Sequence, residues 1–439
     1  VTTYYPELAD RVRSQRALLP DVYGDLDFDT PPYRHTEDPA VKSSLPEWVT
    51  ARGPSLADPQ RVELIRTATM LGDVAADPYA ALTATRSVTD LIAMLSTACR
   101  EGVDAVADVP PELVAFIESM EATPDWIDMR LVEQGARESR MPTALVSPFV
   151  TRGAFIATFT NTYAALPMAL TGALSGKRAS RRVNETSNFF ALTTLPGAMD
   201  RHGPGFEAAA MVRLMHSMVR YNALKRSDRW DADVYGMPVP QVDQMLAGLI
   251  GSYLLAQRVL HSGRTEFDDT ERAVIEFSRY RCFLLGLPEE LVPREPQEIV
   301  DMLHARAALL RDGFDDETCG ALVRSTMAAY LRSDRTRFDR AADAVEKSYS
   351  KMAFTQAFCH GDRRAAARMG VDITATDFAR IAITIPFISG RFFAVRFALR
   401  FPRLRPVIDR YLVGLIRRRL AEYGKPEFRT DAATYATAH

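Results

Sequence analysis

Apolar residues recur every three to four positions along most of the chain, the period of a helix with one face against a core. The pattern begins in earnest at Pro59. It runs through RVELIRTATMLGDV and YAALTATRSVTDLIAMLSTACREG, pauses at 108–111 and 123–124, and resumes in WIDMRLVEQGARESR. Further helical periods are predicted over about 204–224, 238–260, 268–284, 296–313, 315–333, 335–358 and 373–385. No stretch alternates with period two, so the expected class is all-α. Residues 1–58, rich in Pro, Asp and Tyr, predict an extended N-terminal arm wrapping the body. Residues 59–372 form the expected helical domain, and 373–439 a pair of basic amphipathic helices packed on it.

One segment breaks the amphipathic rule. Gly153–Gly176 contains no charged residue over 24 positions, long enough for a membrane span. Its Thr158, Thr160, Asn161, Thr162 and Pro167 favour a core helix buried on all sides instead.

Composition narrows the function. With 54 basic and 56 acidic residues the chain as a whole is no nucleic-acid binder. Four scattered cysteines form no C-x-x-C, which leaves free buried thiols and excludes both a zinc module and covalent haem attachment. The N-terminus carries no charged segment followed by an apolar run, so a cytoplasmic protein is expected. Charge is uneven at the other end, where residues 377–425 hold eleven basic against three acidic residues. GRFFAVRFALRFPRLRP there predicts either peripheral contact with an anionic membrane or a hairpin packed on the body with solvated arginines.

Several short patterns carry no chemistry. Gly203-Pro-Gly205 with Ala208 lacks a preceding strand, and Gly172–Lys177 lacks the full phosphate-loop spacing. Asp301 and His304 make half of a helical metal site whose partner helix is missing.

The stretch Arg182–His216 is different. Arg182 and Thr186 share one helical face, and so do Arg213 and His216; LPG and HGPG between them turn the chain. A buried guanidinium demands an anion, and a neutral imidazole in apolar surroundings can ligate iron. On periodicity alone a histidine among Met211, Met215 and Met218 is more often a satisfied core residue than a ligand, and Arg213 on the same face argues the other way.

Arg-x-x-x-Thr at 182–186, Arg-x-x-His at 213–216 and GMPVPQ at 236–241, in that order and with 34 residues from Arg182 to His216, resemble the latex clearing proteins (rubber oxygenases). They resemble equally the wider MpaB-like haem-oxygenase family, and the likeness covers roughly residues 60–360. It implies a globin-like core with additional helices and one non-covalent haem b. It also implies His216 as the iron's proximal ligand, Arg213 beside it at the haem edge with the propionates as its anions, and Arg182 and Thr186 close to the haem. Arg182 would donate hydrogen bonds where charge develops on dioxygen or peroxide, and Thr186 would orient a water or proton donor. Two positions depart from the rubber oxygenases. Glu185 replaces the lysine before the threonine, and Gly153–Gly176 lacks their upstream glutamate. Both count against rubber as the substrate. Glu185 is either an acid/base or the partner of Arg181 four residues back.

The expected function is therefore an oxygenase or oxidase acting on a hydrophobic small molecule, isoprenoid- or polyketide-like as in secondary metabolism, with dioxygen or peroxide. The alternatives are a haem peroxidase or tailoring oxidase that cleaves no alkene, and a non-catalytic helical binding protein.

Overall fold

The computed structural model describes residues 4–171 and 176–424, and these are all-α. Among them there is no β-strand, only two isolated bridges, His35 with Leu310 and Ser43 with Arg311. The chain packs as two compact units, each drawing on separated stretches. One comprises residues up to Gly135 with Asp200–Gly313. The other comprises Ala136–Met199 with the chain from Phe314. Packing thus cuts the chain differently from its composition.

In the first unit, helix boundaries follow local chemistry. Asp58 caps Pro59–Ala68, its carboxylate accepting from the backbone of Gln60 and Arg61 at 3.0 and 3.2 Å. Ser87 caps Val88–Glu101, and an Asp268/Glu271 capping box starts Asp269–Leu284. That helix packs with Gln241–His261 and Pro296–Leu309 around Val259, Phe267, Ile275, Ile299 and Leu303.

The N-terminal arm is more structured than its composition suggests. Pro6–Leu18 is a helix burying Leu8, Ala9, Val12 and Gln15. Pro6 occupies its first turn, where the missing N–H costs nothing. Only then does the chain become irregular, with Tyr33 and Arg34 donating to the carbonyls of Asp233 and Val234, and Thr36 and Ser44 to those of Leu309 and Leu310.

In the second unit the uncharged run is not one core helix. Ser147–Ile156 tightens into a 3₁₀ turn at Ala157–Phe159, and Thr162–Leu170 starts anew. Thr158 and Thr160 hydroxyls donate back to the carbonyls of Phe155 and Ala157. Extended Asn161 then accepts from the Tyr163 N–H at 3.0 Å as a cap. Several of its residues are half-exposed, and 172–175 lie outside the described residues. Helix Arg337–Phe358 lies along Ser147–Ile156 so closely that a Cβ on Gly153 would stand 2.6 Å from the Ser350 carbonyl oxygen. Beside it, wholly buried Arg152 pairs with Asp343 and donates to the Ala329 carbonyl at 3.1 Å.

Ala375–Ala398 and Arg405–Tyr423 form a terminal hairpin. Asp377 anchors the first helix, accepting from Ser348 Oγ at 2.7 Å and Lys351 Nζ at 3.0 Å while closing a capping box with Thr374. Arg140 anchors the second, donating to Asp409 at 2.8 Å and to the Thr194 carbonyl at 2.8 Å.

Candidate functional site

The helix Pro204–Arg226 carries His216. Gly203 is extended and Pro204 opens the first turn, which is how HGPG ends one helix and begins the next. Most of the helix is buried, but Val212, Met215 and His216 are only half-buried. They lie three and four residues apart and so share one face. The structure therefore gives His216 an accessible apolar strip of its own helix rather than a sealed core position.

Two ion pairs fix the rotation of that strip. Arg213 clamps Asp73, Nε to Oδ2 at 2.5 Å and Nη2 to Oδ1 at 2.8 Å, donates to Ser119 Oγ at 3.0 Å, and lies 5.1 Å from the Phe116 ring centroid. Arg220, seven residues on, clamps Asp77 with Nη2 to Oδ1 at 2.7 Å and donates to the Val239 carbonyl at 3.0 Å. The two acidic residues are linked through the backbone. Asp73 N–H donates to Asp77 Oδ2 at 2.7 Å, and the Tyr23 hydroxyl donates to the same oxygen at 2.6 Å. Both pairs are almost wholly buried. Burial alone would raise the Asp73 pKa; the Arg213 charge and its hydrogen bonds overcome that and hold it at about 2. Burial and the adjacent Asp77 charge push the Tyr23 hydroxyl well up, so it stays a donor.

The anion that Arg213 requires is thus supplied by the chain itself. This changes the expectation placed on it, because no propionate is needed to balance its charge. Periodicity did not point to Asp73, Asp77, Tyr23 or Arg220. The signal available was the pair of acids four apart in GDVAADP facing basic residues seven apart on one later helix.

The GMPVPQ segment abuts the same network. Gly236 and Val239 both have positive φ, 68° and 51°, the latter uncommon for a β-branched residue. Val239 offers its carbonyl to Arg220, and Gln241 Nε2 donates to the Gly72 carbonyl at 3.1 Å. Gly286 closes the opposite side. Its φ is +89°, and an added Cβ would lie 2.6 Å from Asp73 Oδ2 and 2.8 Å from Arg213 Nε. Gly286→Ala is expected to cost about 1–2 kcal/mol for the backbone conformation alone and more for the clash. A urea midpoint no lower than that of the parent would contradict this.

Arg182, Glu185 and Thr186 sit in the second unit, on the helix Gly176–Leu192. All three are half-buried and three or four residues apart, hence on one face. Arg181 Nε bonds Glu185 Oε1 at 3.2 Å. Neighbouring Val183 is buried with Ala179, Ala329 and Leu331. Elsewhere, His304 meets Tyr253 Oη at 3.0 Å and Asp301 faces Arg61. Among the described residues no three His, Cys, Asp or Glu side chains converge as a bare metal ion would require. A haem asks for only one axial histidine.

Residues 145–436 match the family described as "ER-bound oxygenase mpaB/B'/Rubber oxygenase, catalytic domain". That match spans well over half of the sequence, and the chain belongs to this family of oxygenases. The solved "Structure of Latex Clearing Protein LCP in the closed state" is similar in fold, with a TM-score of 0.55 over 81% of this chain and 91% of that one, at 16% identity. Among curated proteins none matches the sequence.

Proposed function

We propose that this protein is a haem b-dependent oxygenase that uses dioxygen or peroxide to oxidise a hydrophobic small molecule of isoprenoid or polyketide type. The observation that carries the proposal is His216. It is the C-terminal residue of a half-buried apolar strip on a helix locked at two points, in a chain that belongs to an oxygenase family.

The donor set suits a non-covalent haem in a globin-like core. A neutral imidazole is the usual axial ligand, and Val212 and Met215 offer apolar contact to a porphyrin face. When bound, the haem supplies the oxidative chemistry. The chain does the rest. The Asp73 and Asp77 clamps hold the His216 helix in one rotation, which fixes the face on which the imidazole stands. We assign Arg213 to that positioning role. By likeness to the family, Arg182 supplies N–H donors to charge developing on the oxidant, and Thr186 orients a proton donor. Glu185, held by Arg181, supports Arg182's helix. The four cysteines are buried and free, which suits a reducing compartment such as the cytoplasm.

Expressed with a haem supply, the chain is expected to show a Soret band that shifts with dithionite and carbon monoxide. His216→Ala should abolish or displace the band while leaving the helical circular dichroism unchanged. Arg182→Ala should keep the band and lose turnover. A well-folded parent protein that takes up no haem would sink the proposal and favour a non-catalytic binding protein.

A further inference from the structure

The terminal hairpin has two apolar sides, and only one is covered. On the inner side Val395 and Leu412 pack with Leu145, while Val413 and Ile416 pack with Ala191, Leu195 and Ala198. On the outer side Ile383 is 69% exposed, Phe387 77%, Phe393 61% and Phe397 58%. Phe401, Leu404 and Val407 extend this surface through the turn into the second helix. Ala379, Ile383, Pro386, Gly390, Phe393 and Phe397 follow one another at alternating steps of four and three, so the exposure is a continuous stripe rather than scattered side chains. Single exposed hydrophobics need no explanation, but a contiguous stripe does.

Charge along the stripe has one sign. From Phe378 to Ile408 there is no Asp or Glu, and there are six arginines: Arg380, Arg391, Arg396, Arg400, Arg403 and Arg405. This decides among the occupants. A second copy would set arginines against arginines with no acid to separate them, since a two-fold interface repeats the same surface on both sides. Crossing a bilayer also fails. Among the described residues, Ala375–Ala398 alone has the length and hydropathy of a span, and only 6% of its apolar window is buried. Its N-terminal end, however, is bound through Asp377 to Ser348 and Lys351, and Arg391 and Arg396 occupy its second half, where a hydrocarbon core would penalise them. An anionic lipid surface satisfies both features at once. Phenylalanines enter the acyl boundary while arginine stems run outward to headgroup phosphates.

We propose that the hairpin Ala375–Tyr423 is an interfacial anchor that seats this protein on a bilayer carrying anionic lipid. The proposal is independent of haem, and it would bring an enzyme of apolar substrates to the phase in which such molecules dissolve.

The test is flotation of the full chain with vesicles of phosphatidylcholine alone and of phosphatidylcholine mixed with phosphatidylglycerol. Binding to the mixed vesicles is expected to exceed binding to the neutral ones at least tenfold and to weaken at high salt, as screening shortens the reach of the arginines. Phe387→Gln with Phe393→Gln, and separately Arg400→Glu with Arg403→Glu, should each reduce binding at least tenfold. All four side chains are exposed, so the fold should survive, which an unchanged melting profile checks. Binding that is absent, equal on both vesicles, or insensitive to both double variants would overturn the proposal. So would a parent protein that ignores vesicles and self-associates, with the phenylalanine variant monomeric, because a second copy would then cover the stripe.

Discussion

Asp77→Ala is expected to destabilise the first unit by about 3–5 kcal/mol, the usual consequence of removing one partner from a buried ion pair. Arg220 is fully buried, and its guanidinium directs Nε and Nη2 to this carboxylate. Without it a charge would remain in the core with only the Ser217 hydroxyl and the Val239 carbonyl as acceptors. The Tyr23 hydroxyl and the Asp73 N–H would lose their acceptor as well, and each unsatisfied buried donor adds about 1–3 kcal/mol when no water reaches it. Asp77→Leu combined with Arg220→Met should recover much of the loss, because apolar groups of similar volume restore packing without a stranded charge. Urea denaturation of the two single variants and the double yields the coupling directly. If Asp77→Ala falls within about 1 kcal/mol of the parent, the pair is hydrated in solution and does not lock the His216 helix.

That network also marks how far the sequence could be read. Apolar period placed most helices from Pro59 onward because each has one face against a core. The helix at Pro6–Leu18 escaped because its buried face includes Gln15 and its composition is polar overall. The uncharged run read as one helix because hydropathy does not register that Asn161 caps a new one. Helical spacing put Arg182, Glu185 and Thr186 on one face, and Arg213 beside His216. It could state that Arg213 needs an anion but not which one, since Asp73 lies 140 positions away and an ion pair at that separation leaves no periodic trace. At the C-terminus the alternation of arginine with phenylalanine was plain. Which apolar side packs was not, because both sides of the hairpin are apolar, and packing against Leu145 and Ala191 uses only one.

Asp73 should make the fold acid-sensitive in a way that Asp73→Asn removes. Its pKa falls from 3.8 to about 2 in the folded protein, because the Arg213 ion pair outweighs the burial that would otherwise raise it. A carboxylate with a depressed folded pKa stabilises the fold fully above its unfolded value, and that contribution disappears as pH drops toward the folded one. Here that contribution is lost as pH falls from the ordinary carboxylate range toward the lower folded value. Asp377 and Asp243 are depressed too, so the parent's total acid loss is no measure of Asp73 alone. The difference between parent and Asp73→Asn is. At neutral pH the variant should be less stable, since Arg213, flanked by Arg11 and Arg220, would keep its charge without the carboxylate. As pH falls the parent should lose the same interaction by protonation, and the gap between their urea midpoints should close. Parallel stability curves from pH 6 down to the acid limit of folding would mean that Asp73 is not ionised against Arg213, and that this pair does not hold the His216 helix.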